Sequence, residues 1–151
     1  MSKQKICKQN IIDWINEVII VPRQELGGMP ICPFVKEYEN KIRIIETTTP
    51  LQVAKNFAFL KELFDYEAVI LYGKKYSYEK LHSLCDTINE KHAKHNVICL
   101  AMHPDSDEFP LPLEYNFEYP LLILQNKENL TKAQNRLENT PYYNYYSNNA
   151  K

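Results

Sequence analysis

The stretch "EAVILYGKKYSYEKLHSLCDTINEKHAKHNVICLAMHP", residues 67–104, decides the fold class. It opens on an apolar run, Ala68 to Tyr72, closed by Gly73. Ser77 then stands where a helix N-cap belongs. Leu81, Leu84, Cys85, Ile88 and His92 recur at three- and four-residue spacing, which predicts a long amphipathic helix. A second apolar run, Val97 to Met102, ends at His103-Pro104. Strand, helix and strand in that order imply a right-handed crossover and parallel strands.

The same alternation continues on both sides. Upstream, "KIRIIE" at 41–46 is rich in β-branched residues and reads as a buried strand. In "TTTPLQ", Thr49 suits an N-cap, Pro50 the first helical position, and Gln52 completes a capping-box spacing. Val53, Phe57, Leu60 and Phe64 make the stripe of the helix that follows. Further upstream, Ile11, Trp14, Ile15, Val18 and Ile19 give a first helix that Pro22 ends. Downstream, an acidic, proline-rich loop leads to "LLILQ" and a last helix with Leu130, Ala133 and Leu137 facing inward.

The expected order is therefore helix, β, α, β, α, β, β, α. It predicts a single α/β domain over residues 1–139, with a mixed, mostly parallel sheet of about four strands flanked by helices. The run Val97–Met102 is apolar on both alternating faces and is expected at the centre of the sheet. Pro120 places the fourth strand at an edge, and its loop connection allows it to run antiparallel. Residues 140–151, rich in Tyr and Asn, form a tail expected to be loosely ordered.

Bulk properties narrow the class. The 151 residues suit one domain, and a net charge of −1 gives no broad footprint for nucleic acid. No stretch approaches the roughly 18 apolar residues needed to cross a bilayer, and the polar start is not a signal peptide. Cys7, Cys32, Cys85 and Cys99 stand far apart without a C-x-x-C pair, which fits reduced thiols in a cytoplasmic protein. Phosphate-loop, dinucleotide-binding and nucleophile-elbow motifs are all missing, and no motif names a cofactor.

In open α/β sheets ligands sit beyond the carboxyl ends of the strands. That rule selects Thr47 and Thr48, Tyr72 and Gly73, and His103, with the carboxylates of "PDSDE" just beyond. His103 is read in two ways. It is either a general base or metal ligand, or a strand-end histidine bonded to a loop carbonyl. Asp105, Asp107 and Glu108 invite a hard cation, but their spacing is not that of an EF-hand. His82, Cys85 and Asp86, and likewise His92 and His95, lie close enough on a helix to bind a transition metal, although packing explains them with less.

A second candidate is "GGMPICPFVKEY" at 27–38, which brackets Cys32 with prolines after the only Gly-Gly pair. Cys32-Pro33 reads as the N-cap and first position of a short helical turn, with Phe34 anchoring it. A thiol at a helix start near Lys36 and Arg23 is acidified; the alternative is a small buried hydrophobe.

"VIIVPRQELGGMPICPFVK", "HPDSDEF" and "EYPLLILQNKENLTKA" together resemble a family of small uncharacterised bacterial proteins, a domain of unknown function. Its members carry a Cys-Pro-Phe-Ala motif after a short N-terminal helix, then a His-Pro-Asp element, over a span matching roughly residues 14–135. Here Val35 replaces the alanine, and "YNFEYP" lacks the family's arginine. The resemblance implies Cys32, Pro33, Phe34, His103, Pro104 and Asp105 as a recurring set and brings no activity with it.

Two functional expectations follow. One is a small enzyme with Cys32 and His103 as catalytic groups and Arg23, Phe34, Tyr72 and Asp105 around a small-molecule substrate; a metal-dependent variant uses His103 with the loop carboxylates. The other is a non-catalytic accessory protein that meets a protein partner, or a second copy, through the acidic loop and Tyr142–Tyr146.

Overall fold

The apolar runs become strands and the periodic segments helices in a computed structural model that describes residues 6–26, 28–32, 41–60, 66, 68–106 and 116–138. The elements are α1 (Lys8–Trp14), β1 (Ile42–Glu46), α2 (Pro50–Leu60), β2 (Ala68–Tyr72), α3 (Tyr78–His92), β3 (Val97–Met102), β4 (Leu121–Asn126) and α4 (Lys127–Leu137). They form an α/β fold on one mixed sheet of four strands in the order β1-β2-β4-β3. Tail residues 140–151 and the helical turn expected from Pro33 lie outside the described residues.

β1 and β2 pair in parallel, while β4 runs antiparallel to both β2 and β3. Three of the four strands therefore share one direction. Because β1, β2 and β3 advance one way across the sheet, crossovers of one hand put α2 and α3 on the same face. Their stripes, with Ala54, Phe57, Leu81, Leu84 and Ile88, pack on Val69, Leu71, Val97, Leu122 and Leu124. The opposite face carries Ile70, Tyr72 and Leu121 against Ile11 of α1 and Phe117.

Two positional expectations are corrected. β3 is an edge strand and β4 is interior. Apolar residues on both faces of β3 had signalled a central strand, yet Leu100 on its second face is 53% exposed. Pro120 precedes β4 and donates nothing to the ladder in any case, so Leu121–Asn126 is free to pair on both sides.

The open edge of β3 is closed from its own connecting helix. The Cys99 N–H donates to Asn89 Oδ1 at 2.7 Å, and Asn89 Nδ2 donates back to Cys99 O at 3.0 Å. A side-chain amide thus takes the place of a neighbouring strand, blunting an edge that would otherwise invite pairing.

The first helix also departs from expectation. After α1 it widens into a π-helical turn over Ile15–Ile19, with the Ile20 N–H donating to Ile15 O at 3.1 Å. The wider turn rotates the apolar stripe. Ile11 reaches the sheet, Ile19 joins Leu26 and Ile31 in a small cluster, and Trp14 and Ile15 touch both. Among the described residues no helix is long and apolar enough to cross a membrane.

Candidate functional site

The strand ends build a crevice from backbone outward. Thr47 extends the β1–β2 pairing by one residue, its N–H donating to Tyr72 O at 2.7 Å. The Thr49 N–H donates to Thr47 Oγ1 at 3.0 Å, turning the chain into α2, which begins at Pro50 as expected. Gln52 does not reach back to complete a capping box; its amide donates to Asn56 Oδ1 at 3.1 Å. After β2, Gly73 takes φ +140° and passes so close to Thr47 that an added Cβ would lie 2.8 Å from Thr47 O. Only glycine fits such a position without strain. Ser77 caps α3 as its sequence position predicts, accepting from the Lys80 N–H at 3.2 Å.

Thr47, Pro50, Tyr72, Lys74, Tyr76 and Pro120, with Leu71, Leu81 and Leu122, line a shallow, half-open crevice with a cavity volume of about 10 Å³. The Lys74 ammonium lies 6.0 Å from the Tyr76 ring centroid, and Lys75 lies 5.9 Å from that of Tyr119. Burial pushes the Tyr76 phenol above its ordinary value, so it is a neutral hydrogen-bonding group. Tyr72 borders the opening, but its ring packs on the α1 side of the sheet. There its phenol faces the start of α1 beside the Lys8 backbone. Burial first, then Glu46 and Cys7, raise the Tyr72 pKa.

His103 sits at the end of β3 with 4% of its surface exposed. Its Nδ1 accepts the Asp105 N–H at 3.0 Å, and its Nε2 pairs with Tyr76 O at 2.8 Å. A backbone N–H can only donate and a carbonyl can only accept, so the ring is the neutral tautomer protonated at Nε2. Both nitrogens are engaged by backbone. The imidazole latches the β3 exit onto the loop before α3, the loop-carbonyl bond that a strand-end histidine allows. Asn116 clamps the same turn, donating from Nδ2 to His103 O at 2.8 Å and to Ser106 O at 3.2 Å. Tyr78 meets the His103 ring edge-on at 5.9 Å.

The other sequence candidates fall elsewhere. Asp105 stays beside His103, with Oδ2 3.8 Å from Nδ1 and the carboxylate exposed. Cys32 is half-buried in the cluster of Ile19, Leu26 and Ile31, its N–H donating to Ile19 O at 3.3 Å. Its described neighbours and those of His103 have no residue in common. Arg23 belongs to the Cys32 side: its backbone pairs with Met29, and Nη2 donates to Val18 O at 3.3 Å. Phe34, Asp107 and Glu108 lie outside the described residues. Among the described residues no three His, Cys, Asp or Glu side chains converge as metal ligands.

Two features were missed in sequence. Cys85 and Cys99 meet in the core between α3 and β3, where the Cys85 thiol also donates to Cys99 O at 3.2 Å. Interaction between the two thiols lowers the Cys85 pKa and, with burial, raises that of Cys99. Both are packed thiols. The second is the Asn96–Asn126 pair at 2.8 Å, which caps α4: Asn96 Oδ1 accepts the Glu128 N–H and Asn126 Oδ1 the Asn129 N–H. Asn96 at φ 67° was the one readable signal, since asparagine tolerates the left-handed region.

No protein-family model, no curated protein and no solved structure matches the chain.

Proposed function

We propose that this protein binds a small anionic molecule in the crevice beyond β1 and β2. The observation that carries the reading is convergence: Pro50, the first residue of α2, Leu81, in the first turn of α3, and Lys74 all line this opening. Helix amino ends present unpaired N–H groups and partial positive charge, which favour phosphate or carboxylate. Thr47 Oγ1 and the Tyr76 phenol add neutral hydrogen-bonding groups, and the leucines beneath supply a floor that excludes water. In this reading His103 holds the crevice wall by fixing Tyr76, and Cys32 packs a separate part of the fold. A reducing, cytoplasmic location is part of the proposal, supported by four cysteines that remain thiols. So is kinship with the Cys-Pro-Phe family, supported by the motif residues alone.

The test is a titration of the isotope-labelled protein with inorganic phosphate, pyrophosphate and succinate, read by amide shifts. Binding near about 1 mM should move Thr47, Gly73, Lys74 and Ser77 first, and Lys74→Glu should abolish the shifts. Shifts centred elsewhere, or none with any of the three anions, would discard the crevice as an anion site.

A further inference from the structure

The helices that open at the crevice end on the opposite side of the molecule, and that end has a character of its own. Phe59, in the last turn of α2, is 57% exposed, more than Leu100 and Leu51, the other large exposed apolar residues among the described residues. Its ring lies 4.9 Å from that of His95 and 6.1 Å from that of His92, while the two imidazoles are 6.3 Å apart. Three rings, from α2, from α3 and from the turn after α3, thus form one platform. A single exposed phenylalanine is ordinary on a protein surface. A phenylalanine set among imidazoles and ammonium groups is less so.

Among the described residues, the charges that act on His92 have one sign. His92 is held below its ordinary pKa by burial first, then by His95, Lys91, Lys55 and Lys94, so these cations face it from α2, from α3 and from the turn after α3. Lys55 lies one helical turn before Phe59, on the same side of α2. Lys91 and His92 in the last turn of α3 also offset the helix dipole. That accounts for charge near the helix end, but not for an aromatic ring left open among it. His92 is 6% exposed, yet its Nδ1 has no hydrogen-bond partner among the described residues. The Phe59 ring packs against it edge-on.

We propose that this platform docks a protein partner through a short acidic segment carrying an apolar side chain. The apolar group would cover Phe59, and the flanking carboxylates would pair with Lys55, Lys91 and Lys94. Two rival occupants fit less well. A metal ion bridging His92 and His95 would enter a field of three ammonium groups, where like charge opposes it. Single-stranded nucleic acid needs successive stacking platforms along a basic groove, whereas this end offers one platform on a chain of net charge −1.

The probe is a short synthetic peptide alternating Glu and Phe, with a Lys-for-Glu version as control, titrated into the full isotope-labelled chain. The acidic peptide should shift resonances of Phe59, His92 and His95, weaken with salt, and leave the crevice amides unmoved. Phe59→Ala, and separately the double change Lys55→Glu with Lys94→Glu, should each weaken it by about tenfold or more, with unchanged circular dichroism. Equal binding of both peptides, shifts centred elsewhere, or no binding to the unaltered chain would overturn the proposal.

Discussion

Replacing His103 by leucine separates a backbone latch from a reactive imidazole. Leucine is close in size, so the buried site is refilled and little cavity is left. What disappears is the pair of bonds to Tyr76 O and from the Asp105 N–H. Each such bond contributes about 0.5–1.5 kcal/mol net, and a buried group left without a partner costs toward the upper end. Asp105 is exposed and its N–H can be rewetted, whereas Tyr76 is only half-exposed. The expected loss is therefore about 2 kcal/mol, or about 4–8 °C in Tm for a chain of this size. Thermal and urea unfolding would measure it, and amide exchange at Asp105 should quicken. His103→Gln, which can donate and accept at similar positions, should recover part of the loss. Long-range nitrogen spectra of the unaltered protein should place the imidazole proton on Nε2. A stability change within about 0.5 kcal/mol, or a proton on Nδ1, would refute the latch.

Gly73→Ala forces a side chain into φ +140° and brings its Cβ to 2.8 Å from Thr47 O, so a loss of about 1–3 kcal/mol is expected in urea unfolding. An unchanged midpoint would mean that the two strand exits do not pack this closely. Asn89→Ala removes both bonds to Cys99 and uncovers the β3 edge, so light scattering should show concentration-dependent association along with reduced stability; a monomer of unaltered stability would contradict the edge role. For His92, whose folded pKa lies below 6.5, the unfolded chain binds more protons as pH falls. Its contribution is complete above 6.5 and is lost progressively below, so stability should drop on acidification. His92→Phe should flatten that slope between about pH 7 and 5, and a slope identical to the parent's would exclude His92 as its source.

The periodic elements were legible because they are local. The α3 stripe was read residue by residue, and the buried set is Leu81, Leu84, Cys85, Ile88 and His92. Each apolar run became a strand within about a residue of its expected bounds. Strand order was not legible, for a physical reason. Alternating apolarity reports how many faces of a strand are covered, and says nothing of how many neighbours it has. β3 is covered on one face by α3 and only partly on the other, so it shows an apolar pattern at an edge. Its spare backbone groups are answered by Asn89, and nothing in a single asparagine on a helix announces a bond to a strand ten residues later. The π-helical turn was hidden for the same reason. Ile11 to Ile19 satisfies an α-helical stripe, and only the existence of two separate clusters makes the wider turn favourable.

At the candidate site, the positional rule and the residue-type rule part company. Position led to Thr47, Thr48, Tyr72, Gly73 and His103; Thr47 and Tyr72 border the crevice, Gly73 shapes it, and His103 holds Tyr76. Residue type led to Cys32 and gave His103 its catalytic reading, because imidazole and thiol are the most reactive side chains in the sequence. The property that makes imidazole reactive also makes it a good latch: one ring carries a donor and an acceptor in fixed opposition. At a strand exit followed by proline, the chain must satisfy a carbonyl from the neighbouring loop and an amide two residues on, and a neutral histidine answers both. The discriminating feature is what the second nitrogen faces. A proton carrier keeps one nitrogen toward a cavity and orients the other by a fixed bond, whereas both nitrogens of His103 face backbone. On the proposed reading, Lys74 and the helix openings beside it are the groups that meet the anion, and His103 contributes by keeping Tyr76 in place.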